Sequence, residues 1–293
     1  SQIERYALVD DTVASVLAGA VPASELLVLA EGMAGETDVS VWRRLISGLD
    51  LLDRIVTEDQ RPALQARARA VLGPALERLG WEPKEGESDR DRELRGALIG
   101  ANAVLAADEA ARARVGELFD ALHAGEDVEA NVASAVIRAS AALATDERLD
   151  QLVEGFRSAS TPQEELRYLY ALADVRSGSQ MDRVLEMAMS EEVRTQNAPF
   201  LIGACIANRD HGDRAWALVE ERWEEMNERF PSNSIARMLH GIRVVNDPAL
   251  AGRIEAFIAA HPVPQGKQTI DQHLERMRVS VAVRARESSR LAL

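Results

Sequence analysis

The hydrophobic positions of residues 197–242 recur every three or four residues, with two interruptions by turn-forming residues. This spacing predicts three amphipathic helices in succession, because side chains three and four apart share one face of an α-helix. The middle helix has the clearest stripe, formed by Trp216, Val219, Trp223, Met226 and Phe230. A helix cannot bury such a stripe alone, so we expect the three helices to stack.

Turn and capping residues predict where these three helices begin. Asn197 is expected to cap the first helix, which begins with Pro199, where a missing backbone N–H costs nothing. Ser232 or Ser234 is expected to cap the third helix. Its buried face then holds four residues at helical spacing, namely Ile235, Met238, Leu239 and Ile242.

The same periodicity continues along the whole chain and predicts on the order of fifteen helices joined by short connections. The expected fold class is all-α: an α-α superhelix of antiparallel helix pairs, a HEAT- or armadillo-like solenoid or bowl. We predict one helical-repeat domain over residues 1–293, with a subdivision allowed near a linker at residues 80–88. Pro74 is expected to kink or break the helix predicted for residues 59–79. Gly96 and Gly100 indicate a close contact between helices.

Charge and hydropathy exclude some classes of binding partner. The chain has 34 basic and 48 acidic residues, a net charge of −14, which repels phosphate backbones and anionic lipid surfaces. We therefore expect no nucleic-acid and no membrane partner. No apolar run approaches the roughly 18 residues of a membrane span, and no signal peptide is recognisable, so a cytoplasmic location is expected. The start at Ser1, close to a helix, favours an excised fragment, although a processed or cloned terminus would look the same.

The residue types that commonly act in catalysis do not occur in a recognisable catalytic motif. No two of the five histidines lie four residues apart, so the His-Glu-x-x-His zinc helix is missing; most of these histidines are expected on the surface or in loops. Cys205 lies in an apolar helix and is expected to be a buried, unreactive thiol. The acidic stripe at residues 220–228 is interpreted as a solvated helix face, with a cation-attracting wall as the alternative. We predict no catalytic residue and no metal ligand.

Three basic residues form the candidate binding site. Arg209 lies near a helix end, while Arg237 and His240 are three residues apart on the next helix and are therefore neighbours. Converging on the concave side of the stack, they could hold an anionic group such as the carboxyl terminus of a peptide. Ordinary surface charge is the alternative interpretation.

Five segments resemble motifs of one family, in the same order along the chain. They are residues 5–11 (RYALVDD), 36–42 (ETDVSVW), 79–95 (LGW…ESD…LR), 208–230 (N…G…AW…W…F) and 232–238 (SNSIARM). The matching motifs belong to the C-terminal helical domain of aminopeptidase N-type zinc metallopeptidases, also described as the endoplasmic-reticulum-aminopeptidase-like C-terminal domain. The composition favours the bacterial branch of that family.

The resemblance implies a helical bowl that follows a catalytic domain, closes over its zinc site and forms a chamber for peptides. The family's zinc ligands, glutamate base and oxyanion-stabilising tyrosine lie in the catalytic domain. The resemblance therefore implies no cofactor in this chain, zinc in the catalytic domain of the parent enzyme, and as partners that domain and peptide substrates. The first hypothesis is a non-catalytic C-terminal domain of a zinc aminopeptidase that caps the active site. The alternative is a free-standing helical-repeat scaffold that binds a protein partner.

Overall fold

The computed structural model describes residues 1–291 and residue 293. These residues form helices, turns and loops without a strand, so the predicted all-α class is confirmed. The chain divides into two compact units. The first unit comprises residues 1–140 and 283–293, and the second comprises residues 141–282. The linker predicted at residues 80–88 lies within the first unit.

The first unit is built from α1 to α6, from α7 as far as Ser140, and from the end of the last helix. The helices are α1 (Gln2–Ala18), α2 (Glu25–Gly32), α3 (Val39–Ile55), α4 (Arg61–Leu79), α5 (Asp89–Val104), α6 (Glu109–His123) and α7 (Ala130–Ala142). Helix α1 packs on α3, and α5 packs on α3, α4 and α6. The buried face of α1 carries Val9, Val13 and Val16, and that of α3 carries Trp42.

The second unit contains the remaining helices and three 3₁₀ helices. The α-helices are α8 (Asp146–Ser158), α9 (Pro162–Ala171), α10 (Gly178–Ala188), α11 (Ala198–Ile206), α12 (Gly212–Arg229), α13 (Ser232–Met238), α14 (Pro248–Ala260) and α15 (Lys267–Glu287). The 3₁₀ helices are Leu172–Asp174, Leu239–Val244 and Pro264–Gly266. Helix α8 packs on α9, and α11 packs on α12 and α13. The last turn of α15 belongs to the first unit.

The end of α15 is tied to the turn that precedes α2. The buried carboxylate of Glu287 accepts a hydrogen bond from the backbone N–H of Ala23 at 2.9 Å. Arg286 donates to the carbonyl of Val16 at 2.6 Å. These contacts join residues that are 264 and 270 positions apart in the sequence, so the first unit is assembled from both ends of the chain.

Glycine allows close backbone contacts in both units. A Cβ on Gly241 would lie 2.1 Å from the carbonyl oxygen of Gly203 on α11. In the first unit, a Cβ on Gly96 would lie 2.7 Å from the carbonyl oxygen of Asn131. The predicted close contact is therefore confirmed at Gly96, whereas a Cβ on Gly100 would have no heavy atom within 4 Å.

The stripe predicted on α12 is confirmed, since all five of its residues are buried. The capping prediction for α11 is confirmed in position only, and the one for α13 was wrong. Asn197 occupies the N-cap position of α11, but its φ of −101° and ψ of −30° depart from the extended conformation that favours capping, and its side chain makes no capping bond. Pro231 occupies the capping position of α13, with Ser232 as the first helical residue.

The observed helices differ from the predicted ones at two positions. Helix α4 continues through Pro74 without a break. Pro74 and Ala70, whose carbonyl the proline leaves without a donor, are both exposed, so water can satisfy that carbonyl. Conversely, α12 contains a kink that the periodicity did not predict, at Arg222, with φ of −110° and ψ of 20°.

Candidate functional site

The turn before α12 positions Arg209, the first residue of the predicted basic patch. The Asn208 amide donates to the carbonyls of Ala173 and Val175 at 2.8 Å each, and its oxygen accepts two backbone N–H groups of the turn. Arg209 in turn donates to Asp210 through two nitrogens, at 2.8 and 3.1 Å. The guanidinium charge of Arg209 is thus partly balanced by its sequence neighbour.

The other two residues of the patch lie where α13 continues as a 3₁₀ helix. Arg237 is exposed near the end of α13, and His240 is exposed on the 3₁₀ helix Leu239–Val244. Arg243 donates to Nε2 of His240 at 3.0 Å; since a guanidinium only donates, this nitrogen is the acceptor of a neutral imidazole. The convergence of Arg209 with Arg237 and His240 stays a prediction.

The structure adds a second histidine to this region. His273 on α15 is buried, and its ring meets that of His240 edge-on, with centroids 5.3 Å apart. Although His240 is exposed overall, partial desolvation of its ring lowers its pKa, and the charge of Arg243 lowers it further. Burial likewise lowers the pKa of His273, with added repulsion from His240 and Arg243, against a hydrogen bond with the backbone of Ala236.

Both rings are therefore neutral at pH 7, because the ordinary histidine pKa is about 6.5. The positive charge of this region resides on Arg237 and Arg243 rather than on His240. The expectation that most histidines lie on the surface or in loops is confirmed, and His273 is the buried exception among the described histidines. No local signal could have paired the two rings, since 33 residues separate them in the sequence.

The motifs at the start of the chain form one polar network beneath α1 and α3. The buried carboxylate of Glu36 accepts Nε and Nη2 of Arg5 at 2.5 and 3.0 Å, and the backbone N–H groups of Thr37 and Asp38 at 2.8 Å each. Burial alone would raise the pKa of Glu36, but these donors outweigh it and the pKa is lowered. The carbonyl of Glu36 accepts the indole N–H of Trp42 at 2.8 Å. The motif residues therefore fix α1 against α3.

The motif of residues 79–95 is held by a buried ion pair. Arg95, with a side chain that is 0% exposed, donates from both terminal nitrogens to the carboxylate of Glu87, which is 5% exposed. Its Nε donates to the carbonyl of Gly80 at 2.9 Å. Gly80 has a positive φ of 85°, a conformation that glycine adopts without strain. The predicted linker is thus anchored at both ends by one arginine.

Within residues 1–291 and 293, no group of three or more His, Cys, Asp or Glu side chains could hold a metal ion. No helix in this range is long and apolar enough to cross a membrane. Cys205 is buried, and its pKa is raised by desolvation and then by Asp174, so its thiol is held in the unreactive form.

The described residues form an all-helical fold in which the motif residues serve packing. Comparison with known proteins then gives the family. Residues 1–279 match the family described as ERAP1-like C-terminal domain, and the chain belongs to that family. The resemblance inferred from the motifs is confirmed.

The relatives of the chain are much longer proteins named as aminopeptidases. The chain is 28% identical to aminopeptidase M1 of Arabidopsis thaliana over 295 residues, which cover 96% of the chain and 33% of that protein. It is 25% identical to aminopeptidase M1-B of Oryza sativa subsp. japonica, and the match covers 96% of the chain and 33% of that protein. It is 24% identical to glutamyl aminopeptidase of Rattus norvegicus, and the match covers 96% of the chain and 30% of that protein. The chain therefore spans about a third of the length of these relatives.

Proposed function

We propose that this chain is the non-catalytic C-terminal domain of a zinc aminopeptidase, which caps the active site and shapes the peptide-binding chamber of the parent enzyme. The observation that carries the proposal is the match of 96% of the chain to a third of proteins named aminopeptidases. The free-standing scaffold is not favoured, because these relatives carry the domain within a longer polypeptide.

The role of such a domain is to act on substrate away from the scissile bond. Contacts with remote parts of a peptide lower the barrier only if they are stronger in the transition state or hold the reacting groups in place. The zinc ion would be bound by the catalytic domain. The side chains of this chain would exclude bulk solvent and orient the peptide.

The basic patch is the proposed contact for the far end of the peptide. Arg209, Arg237 and His240 are the residues of the original prediction, and Arg243 supplies a further positive charge beside His240. A carboxylate held by one exposed arginine gains up to about 1 kcal/mol, or roughly fivefold in affinity. The patch is thus expected to adjust the preference for peptide length rather than to determine turnover.

The test uses the full-length parent enzyme with long and short peptides that share one amino-terminal residue. We expect Arg209→Ala, Arg237→Ala and His240→Ala to lower kcat/KM for the long peptide by about twofold to fivefold and to leave the short peptide unchanged. Arg183→Ala is the matched control, since Arg183 is an arginine of the same unit, paired with Asp150 on the surface. An unchanged length preference in all three variants would remove the patch from the proposal.

A second test addresses the domain as a whole. The 293-residue chain should hydrolyse no aminoacyl chromogenic substrate, with or without added zinc. Zinc-dependent turnover by this chain alone would contradict the proposal. A reading frame that encodes a His-Glu-x-x-His helix upstream of Ser1 would support it.

Three further predictions belong with this proposal. They are one helical-repeat domain over residues 1–293, membership of the bacterial branch, and a cytoplasmic location of the parent enzyme. Cell fractionation followed by immunodetection of the parent enzyme tests the location.

A further inference from the structure

Helices α1 and α3 leave an open groove of about 570 Å³ within the first unit. Its lining from α1 includes Ile3 and Tyr6, and its lining from α3 includes Arg43 and Arg44. We call these four residues and the space between them the α1–α3 groove. Most of its lining surface is apolar, although the polar side chains of Gln2, Ser40 and Ser47 also line it.

The apolar stripe of α1 continues into this groove. Tyr6, Val9, Val13 and Val16 follow one another at steps of three and four residues, so they lie on one face of the helix. The three valines are buried, with at most 4% exposure, whereas Tyr6 is 40% exposed and Ile3 is 80% exposed. The stripe therefore extends one to two turns beyond the core that this chain supplies.

The charged residues of the groove are basic in a chain with a net charge of −14. Arg44 is paired with Asp10 at 2.7 Å, and Arg43 with Glu93 at 3.2 Å. The side chain of Arg43 remains 59% exposed. Tyrosine and arginine next to apolar surface are the residue types that contribute most to protein interfaces. A surface with an apolar side chain and a carboxylate would complement this groove.

We propose that the α1–α3 groove is the docking surface for the part of the longer polypeptide that precedes α1, and that this part inserts an apolar side chain flanked by a carboxylate. This inference rests on the proposed function, under which a catalytic domain comes before this chain. The relatives carry about two-thirds of their length outside the matched region. A preceding segment would join the chain at α1, next to the groove, and this short tether gives a high effective concentration.

The test compares the full-length polypeptide with the 293-residue chain, using Ile3→Glu and Leu8→Glu. Leu8 is the matched control, because it lies on the same helix, is 51% exposed and does not line the groove. Thermal unfolding and hydrogen exchange of residues 40–47 are measured for each variant, and circular dichroism verifies that helix content is unchanged.

In the full-length polypeptide we expect Ile3→Glu to lower the Tm by several degrees and to speed exchange at residues 40–47 by roughly tenfold. Leu8→Glu should change neither quantity. In the 293-residue chain both variants should behave like the unmodified chain, because Ile3 is already exposed there. Exchange of residues 40–47 should also be slower in the unmodified full-length polypeptide than in the 293-residue chain.

The inference is overturned if Ile3→Glu has no more effect than Leu8→Glu in the full-length polypeptide. It is also overturned if the 293-residue chain forms a dimer that protects the groove, which would assign the groove to a second copy. These readouts do not depend on peptide hydrolysis. If the full-length polypeptide cleaves aminoacyl substrates but tolerates Ile3→Glu, only the docking role of the groove is refuted. If it is inactive but destabilised by Ile3→Glu, only the aminopeptidase assignment is refuted.

Discussion

The buried ion pair between Arg95 and Glu87 is the contact whose loss should be most costly in the first unit. In an Arg95→Met variant the methionine retains much of the aliphatic volume, so the cavity left behind is small. The carboxylate of Glu87 would then be buried without its cationic partner, and the carbonyl of Gly80 would lose a donor. Removing one member of a buried pair costs about 3–5 kcal/mol.

Urea unfolding followed by circular dichroism measures this cost. With a slope of roughly 3 kcal/mol per M urea, the transition of the first unit should shift down by about 1–1.7 M. Hydrogen exchange of residues 80–95 assigns the transition to this unit. The control is Arg114→Met on α6, because Arg114 is 39% exposed and is paired with Glu117 on the surface. Exposed pairs contribute at most about 1 kcal/mol.

A double variant separates the loss of the pair from the loss of packing. Replacing a buried ion pair by apolar residues is often neutral, so Arg95→Met with Glu87→Leu should recover much of the stability. Recovery should be incomplete, since the Gly80 carbonyl still lacks its donor, at a cost of about 1–3 kcal/mol. If Arg95→Met alone shifts the midpoint no more than Arg114→Met, the reasoning about this pair is refuted.

Other changes test backbone packing, thiol reactivity and pH dependence. Gly241→Ala should destabilise the second unit by about 1–3 kcal/mol in urea unfolding, since its Cβ would meet a carbonyl at 2.1 Å. A Cβ on Gly252 of α14 would have no heavy atom within 4 Å, so Gly252→Ala should instead stabilise the second unit by roughly 0.5–1 kcal/mol. Equal effects of the two substitutions would contradict the close backbone contact at Gly241. Cys205 should react with a thiol reagent only after denaturation, and rapid labelling of the native chain would show that it is accessible. Arg95 holds the pKa of Glu87 below its usual value of about 4.3. The contribution of the Arg95–Glu87 pair to the free energy of unfolding is therefore complete above that pH and is lost as the pH falls through the folded-state pKa. Glu87→Gln should therefore show a shallower loss of stability below about pH 4, and a slope equal to that of the unmodified chain would refute the linkage.

Periodicity predicted the helices of the second unit well because burial of an apolar stripe needs no knowledge of the partner helix. The burial of Trp216 and Trp223 follows from their spacing alone. Capping was less predictable, because it depends on the backbone angles of one residue. Asn197 has a suitable side chain, but its backbone angles prevent capping, and the kink at Arg222 has no sequence signal that we recognise.

The polar contacts of the structure were mostly beyond local sequence patterns. The motifs containing Glu36 and Arg95 marked the family, yet their spacing did not indicate a buried carboxylate or a buried guanidinium. Those partners are 31 and 8 residues away in the sequence. The basic patch was predicted from neighbours on one helix, whereas His273 reaches His240 from another helix. Such pairings require the tertiary structure.

The tie between Glu287 and Ala23 has a consequence for how the chain acquires its structure during synthesis. Every residue of the second unit is translated before α15 is complete, so that unit needs no residue from the last turn of the helix. The first unit has to wait for its final turn, because the N–H of Ala23 finds its acceptor only after the ribosome has added residue 287. Contacts between such distant positions form slowly. Residues 1–140 are therefore translated before the second unit but completed after it, and they stay exposed to chaperones and proteases while residues 141–287 are added.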